Sequence, residues 1–262
     1  MSFFEAIILG IIEGITEFLP ISSTGHMILA EAVMKIQDDE FTKTFTIAIQ
    51  LGAILAVVFL YYKRFLVGLN IYLKLAAAFL PTGIIGMAAY KSIKAFLFNP
   101  LVVTSALVLG GILLIILDKW SEKDEEKYQE VESLTYWEAI KIGLFQCLSM
   151  IPGISRAAAT ILGGIFIGFN RKQATEFSFL LAIPTMLAAT GYDLYKTGGN
   201  IHQEQFGLLF IGGLVAFIFA IIAVKAFITF VAKYGFKHFG YYRIALGILF
   251  LILSYKLGIQ LT

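Results

Sequence analysis

Glu13-Gly14-Ile15-Thr16-Glu17-Phe18-Leu19-Pro20-Ile21-Ser22-Ser23-Thr24-Gly25-His26 cuts across a hydrophobic stretch that runs from Phe3 to Ala30. Its flanks are as apolar as a membrane helix, yet its middle holds carboxylates, hydroxyls, a proline and an imidazole. Proline and glycine end a helix, and backbone freed inside lipid finds no water to bond. The stretch therefore reads as two half-length helices joined by a polar turn, which survives at membrane depth only when packed in protein or lining a cavity. Ile142 to Asn170 repeats the design, being free of charge except for Arg156 and carrying Pro152, Gly153 and Ser155 at its centre.

The rest of the 262-residue chain agrees with a membrane setting. Hydrophobic residues make up 59% and charged residues only 15%, against about 25% charged in ordinary soluble domains, and mean hydropathy is +0.85. A soluble enzyme is excluded. A net charge of +2 and the lack of a basic tail exclude a nucleic-acid partner. Cys147 is the single cysteine and histidine occurs only at 26, 202 and 238, so no Cys/His metal spacing exists. Met1 to Ile12 lacks the basic start of a secretory signal and is read as mature sequence.

A span needs about 20 mostly apolar residues. Six crossings are expected: Thr44 to Tyr62, Leu75 to Tyr90, Ala95 to Leu117, Phe177 to Tyr192, Phe206 to Val224, and one centred on Ile244 to Tyr255 whose Arg243 and Lys256 snorkel. The two halves align at an offset of 133: Glu5-Ala6-Ile7 meets Glu138-Ala139-Ile140, Gly10 meets Gly143, Glu13 meets Gln146, and Thr16 meets Ser149. Pro20 and Pro152 follow after a one-residue slip, and Phe45, Ala48, Ile49 and Lys91 meet Phe179, Ala182, Ile183 and Lys225 at 134. One broken hairpin plus three crossings per half makes the second half enter from the opposite face. The fold class expected is an all-α polytopic membrane protein with an inverted-topology repeat, six full transmembrane crossings and two broken, re-entrant helical hairpins meeting near the midplane.

Residues 1–262 form a single membrane domain, with 1–117 the first repeat, 118–135 a solvated cytoplasmic linker and 136–262 the second repeat. Under this threading Lys63, Arg64, Lys74, Lys119, Lys123, Lys127, Arg171, Lys172, Lys225, Lys233 and Lys237 share one side. Lys35, Lys43, Lys91, Lys94 and Lys196 take the other. The positive-inside rule makes the richer side cytoplasmic, so the first hairpin opens outward.

Glu13 and Glu17, four apart, stack on one helix face about 6 Å apart. They form either a water-exposed helix end or a proton-handling or cation-holding pair. Ser22, Ser23 and Thr24 either cap the next helix or, with His26, supply a nucleophile and a base. Ser23 and His26, three apart on one turn, are expected within hydrogen-bond reach. Arg156 needs an anion. A structural ion pair with Glu13 or Glu17 competes with bidentate phosphate binding, to which the amides after Gly153 and Ser155 would add. If the hairpins meet, these groups form one pocket suited to phosphoryl transfer on a lipid-borne phosphate.

The run Glu13 to His26, together with Pro152-Gly153-Ile154-Ser155-Arg156 and Thr160, resembles the two signature motifs of the bacterial undecaprenyl-diphosphate phosphatases, also called bacitracin-resistance proteins. The resemblance covers the whole chain in length and hydrophobic layout. It implies hydrolysis of the polyprenyl diphosphate to monophosphate and phosphate, recycling the lipid carrier for peptidoglycan synthesis, in the bacterial cytoplasmic membrane. It implies that Glu13, Glu17, Ser23, His26 and Arg156 are the functional positions. Ala157 and Ala158 depart from the Ser and Gly common in the family, so a hydroxyl at 157 is dispensable or replaced by Ser155 or Thr160.

On this basis Ser23 is the expected nucleophile and His26 the base or leaving-group acid, with attack by water or by His26 itself left open. Ser22, Thr24, Gly153, Ser155, Arg156 and Thr160 bind substrate, and Glu13 and Glu17 orient His26 or hold a divalent cation, Mg or Ca. The partners expected are the lipid substrate, the membrane and a second copy of the chain as a homodimer. A transporter or flippase of a lipid-linked phosphate is the rival reading, since broken helices in inverted repeats are a transporter layout.

Overall fold

The computed structural model describes residues 1–66, 68–96, 100–121, 131–197 and 202–257, with the backbone alone described at 90–96, 132, 196–197 and 257. Among the described residues all regular structure is helical. Six helices are long and apolar enough to cross a membrane, which makes this a multi-pass membrane protein. They are α3 (Glu40–Leu66), α4 (Leu69–Phe96), α5 (Pro100–Trp120), α8 (Arg171–Thr197), α9 (Phe206–Tyr234) and α10 (Lys237–Leu257). At 1.5 Å per residue, the 21 residues of α5 match a hydrocarbon layer about 30 Å thick.

The two interrupted stretches fold as short helices on either side of a turn. In the first, α1 (Phe3–Thr16) and α2 (Ser23–Met34) flank residues 17–22; in the second, α6 (Tyr136–Gln146), a 3-10 turn at Cys147–Met150 and α7 (Arg156–Phe166) follow one another. The halves share local detail. Ser2 and Thr135 start α1 and α6 with the same capping box, completed by Glu5 and Glu138. Ser22 (φ 69°) and Ser155 (φ 74°) cap α2 and α7 from the left-handed region, where side chains other than glycine are uncommon. Lys35 (φ 59°) and Gly168 (φ 102°) follow those helices with the same backbone twist.

Packing between the halves is reciprocal. Helix α1 lies on α9 and α6 on α4, α2 touches α10 and α7 touches α5, while α3 meets α8 and α5 meets α10. The approach is close where the sequence repeats. A Cβ on Gly10 would stand 2.7 Å from the Gly212 carbonyl, and one on Gly143 would stand 2.0 Å from the Ala78 carbonyl. Gly10 and Gly143 are aligned positions, and so are Ala78 and Gly212.

Polar contacts gather at the ends. Arg171 Nη2 lies 3.0 Å from Asp118 Oδ1, Phe236 N–H donates to the same oxygen at 2.7 Å, and Arg64 pairs with Glu176 at 3.4 Å. At the other end of α3 the Met1 ammonium lies 3.7 Å from Asp39.

Several expected boundaries need correction. Ala95 ends α4 rather than beginning α5, and α9 passes Val224 to Tyr234, so Lys225 and Lys233 are helical. A search for charge-free stretches stops at the first lysine, whereas a helix continues while its lysine reaches the rim. Asp118 is not the start of a solvated loop: it is 3% exposed and holds Arg171 and Phe236. Residues 122–130 of the expected linker, with Lys123 and Lys127, lie outside the described residues, as do the side chains of Lys91, Lys94 and Lys196. The largest departure is Arg243, which does not snorkel but is fully buried.

Candidate active site

Glu13 occupies the last turn of α1 and is 1% exposed. Glu17 follows the helix end in helical conformation, its N–H donating to the Glu13 carbonyl at 3.0 Å, so the four-residue spacing is kept. Its two oxygens are divided between the hairpins. Ser23 Oγ donates to Oε2 at 2.6 Å, and Arg156 Nη2 lies 3.4 Å from Oε1. The two turns thus meet through one carboxylate.

Arg156 is held in place by further contacts. Nη1 donates to the Ser178 carbonyl at 3.0 Å, and the guanidinium carbon lies 5.7 Å above the Phe18 ring, a cation–π arrangement. Thr160, one turn on from Arg156, donates to Ser178 Oγ at 2.6 Å. Ala157 and Ala158 are buried in the core.

Two of the buried polar atoms without a hydrogen-bond partner belong to this site: Glu13 Oε1 and Arg156 Nε. An unmet acceptor and an unmet donor in one site are costly in a dry interior. Glu13 also lies within electrostatic reach of both Glu17 and Arg156. These atoms are free to meet a ligand that carries positive charge on one side and anionic oxygens on the other.

His26 does not bond to Ser23. Its Nδ1 lies 2.8 Å from the Ser22 carbonyl and its Nε2 lies 2.7 Å from the Tyr242 hydroxyl. The expected Ser23–His26 pair is thus replaced by Ser23–Glu17, and the imidazole instead meets the carbonyl one turn back that begins α2. The carboxylates do not orient His26 either, since both ring nitrogens are occupied. Ser22 and Ser155 serve as caps, accepting from Gly25 N–H at 3.4 Å and Ala158 N–H at 3.3 Å. Thr24 is exposed.

Gly153, at φ 97°, sits where a Cβ would stand 2.7 Å from the Val103 carbonyl, so the second turn needs glycine twice over. Its own carbonyl accepts from Arg243 at 2.8 Å. Arg243 also donates to Pro20 O at 3.0 Å and Ile154 O at 2.7 Å, and to Ala106 O and Leu107 O on α5 at 2.9 and 3.3 Å. All five guanidinium N–H groups are used, and carbonyls of both turns are joined by one side chain. Ser178, Tyr242 and Arg243 were missed from sequence. The one available signal was the adjacent Tyr242-Arg243 pair inside an apolar helix.

A cavity of about 550 Å³ between α5 and α7 is lined mostly by apolar residues and borders the second turn at Ile154. Among the described residues no cluster of three His, Cys, Asp or Glu side chains could hold a metal. Glu13 and Glu17 alone offer hard oxygen donors, which suit Mg or Ca when a ligand's phosphate oxygens complete the shell.

The chain matches the bacitracin resistance protein BacA family over residues 6–249. An undecaprenyl-diphosphatase of Wolinella succinogenes is 56% identical over 252 residues, covering 96% of this chain and 98% of its own. Those of Bdellovibrio bacteriovorus and Aquifex aeolicus are 52% and 50% identical, each covering at least 95% of both chains.

Proposed function

The chain belongs to the bacitracin resistance protein BacA family, and from that membership we propose that it is an undecaprenyl-diphosphatase. It hydrolyses the lipid diphosphate to monophosphate and phosphate, returning the carrier to peptidoglycan synthesis. The observation that carries the reading is the Glu17 carboxylate, joined to Ser23 Oγ at 2.6 Å and to Arg156 Nη2 at 3.4 Å. A nucleophile, its proton acceptor and an anion clamp converge there from two separate turns.

Ser23 Oγ attacks the terminal phosphorus as its proton passes to Glu17 Oε2. The new Oγ–P bond forms, the bond from phosphorus to the bridging oxygen breaks, and the lipid monophosphate leaves with that oxygen. Water then attacks the phosphoserine, the Oγ–P bond breaks, Ser23 Oγ takes back the proton held by Glu17, and phosphate departs carrying the water's oxygen. Arg156 rotates its unmet Nε and its Nη groups onto the equatorial oxygens, and the first amides of α7 add to the charge stabilisation. Arg156 thereby exchanges the Glu17 carboxylate for the phosphate oxygens of the substrate. Glu13, with its free oxygen, and Glu17 would hold a divalent cation, which supplies charge neutralisation on the diphosphate.

The remaining architecture follows the same reading. Shared capping boxes, left-handed serine caps and reciprocal packing of α1 on α9 and α6 on α4 support an inverted repeat of two re-entrant hairpins. Basic residues near Arg64 and Arg171 support a cytoplasmic assignment for that end, so the pocket opens outward from the bacterial cytoplasmic membrane. Purified protein in detergent, given undecaprenyl diphosphate, should release inorganic phosphate. A chain that only transported the lipid would release none.

A further inference from the structure

His26 lacks the partner that a general base for Ser23 requires, and the structure explains what it does instead. A carbonyl oxygen only accepts, so the contact of 2.8 Å from His26 Nδ1 to Ser22 O places a hydrogen on Nδ1. In the neutral ring Nε2 is then an acceptor, and it faces the Tyr242 hydroxyl at 2.7 Å. The two rings lie parallel, 4° apart with centroids at 5.6 Å. We propose that Tyr242 is a positioning residue for the phosphatase reaction: its hydroxyl bonds Nε2 of the His26 imidazole, whose Nδ1–H tautomer the Ser22 carbonyl fixes, and so holds the ring where it grips that carbonyl and sets the neighbouring nucleophile Ser23.

Three observations support the chain of contacts. Ser22 has a φ of 69°, a conformation that a serine keeps only when its surroundings hold it. The hydrogen bond from His26 to its carbonyl is one such hold, and Ser23 Oγ points at Glu17 from the next residue. Tyr242 is itself placed with little freedom, because the adjacent Arg243 is bonded to five main-chain carbonyls of the two turns and α5. The hydroxyl can also serve both charge states of the ring, donating to neutral Nε2 and accepting from a protonated one. His26 can therefore gain or lose a proton without releasing Ser22.

The inference rests on the phosphatase reading, but its test separates the two. Tyr242→Phe removes the hydroxyl and keeps the half-exposed ring. Turnover should fall about tenfold, the worth of one hydrogen bond, with KM within about twofold, as a residue that acts through His26 requires. Nitrogen-15 spectra of the histidine-labelled protein, with His26 assigned by its loss in His26→Gln, should show a single Nδ1–H tautomer in the wild type. In Tyr242→Phe the same tautomer should persist, with the Nε2 resonance shifted to that of an acceptor without a hydrogen bond. A wild-type rate in Tyr242→Phe, or a His26 signal of the opposite tautomer in the wild type, would overturn the assignment. Failure of the wild type to release phosphate would instead overturn the phosphatase reading, while the spectra still report the Tyr242–His26 bond.

Discussion

Replacing Arg243 by lysine tests whether one guanidinium holds the active site together. Its five donors meet carbonyls of Pro20, Ala106, Leu107, Gly153 and Ile154 at 2.7–3.3 Å. Lysine keeps the charge, and with it the cost of burial, but offers only three donors from a single point. At least two carbonyls lose their partner. Ala106 and Leu107 lie in α5 and keep a helical N–H, whereas Pro20, Gly153 and Ile154 lie in turns. An unmet buried acceptor costs about 1–3 kcal/mol, while hydrogen bonds between membrane helices average about 0.6 kcal/mol. The expected loss for Arg243→Lys is about 2 kcal/mol, which lowers Tm by about 4–8 °C in a chain of this size. Thermal unfolding in detergent followed by circular dichroism measures the shift, and phosphate release on the same samples reports the geometry. Activity should fall by more than the folded fraction does, because the turns that carry Ser23 and Arg156 separate before the bundle melts. An unchanged Tm with normal turnover would refute the clamp.

Ser23→Ala should lower turnover by several orders of magnitude with binding retained, and quenched wild-type enzyme should contain phosphoserine at 23; about a tenfold loss and no phosphoserine would instead leave an activated water as nucleophile. Arg156→Lys should fold yet lose most activity, since lysine cannot grip a phosphate with two prongs; near-normal turnover would reduce Arg156 to a counter-ion for Glu17. Gly14→Val should fail to assemble, because a Cβ there already stands 2.5 Å from the Ala216 carbonyl, and normal yield in size-exclusion chromatography would contradict that packing. In a Cys147→Ala background, cysteines at Lys172 and Lys35 should label from the inside only and the outside only; labelling of both from one face would overturn the inverted threading.

Helix number and the two interruptions were legible because both rest on local chemistry: apolar length on one side, proline, glycine and polar side chains on the other. Proline was nevertheless an unreliable guide by itself, since Pro81 and Pro184 lie inside the continuous helices α4 and α8. The breaks at Pro20 and Pro152 are marked by the serine caps that follow them. The Glu17–Arg156 pair was foreseen as one of two options for an arginine in need of an anion. Ser23 bonding to Glu17, and His26 to Tyr242, was not, because spacing along a helix cannot register the left-handed twist at Ser22. Arg243 was read as a rim residue from its distance to the helix start. Nothing local shows that carbonyls more than eighty residues away converge on it.

The seating of α1 against α9 has a consequence for the order of synthesis. The Gly10 and Gly14 face of α1 is walled in by a helix that begins only at Phe206, about 190 residues after α1 ends at Thr16. At about 5–20 residues per second, the ribosome needs roughly 10–40 s to supply that wall. Over this interval the first hairpin has only α2 and α3 beside α1 and lacks its seat on α9. A chain cut short before Phe206 leaves Gly10 and Gly14 facing lipid instead of α9. That face of α1 therefore gains its protein wall as one of the last acts of biogenesis.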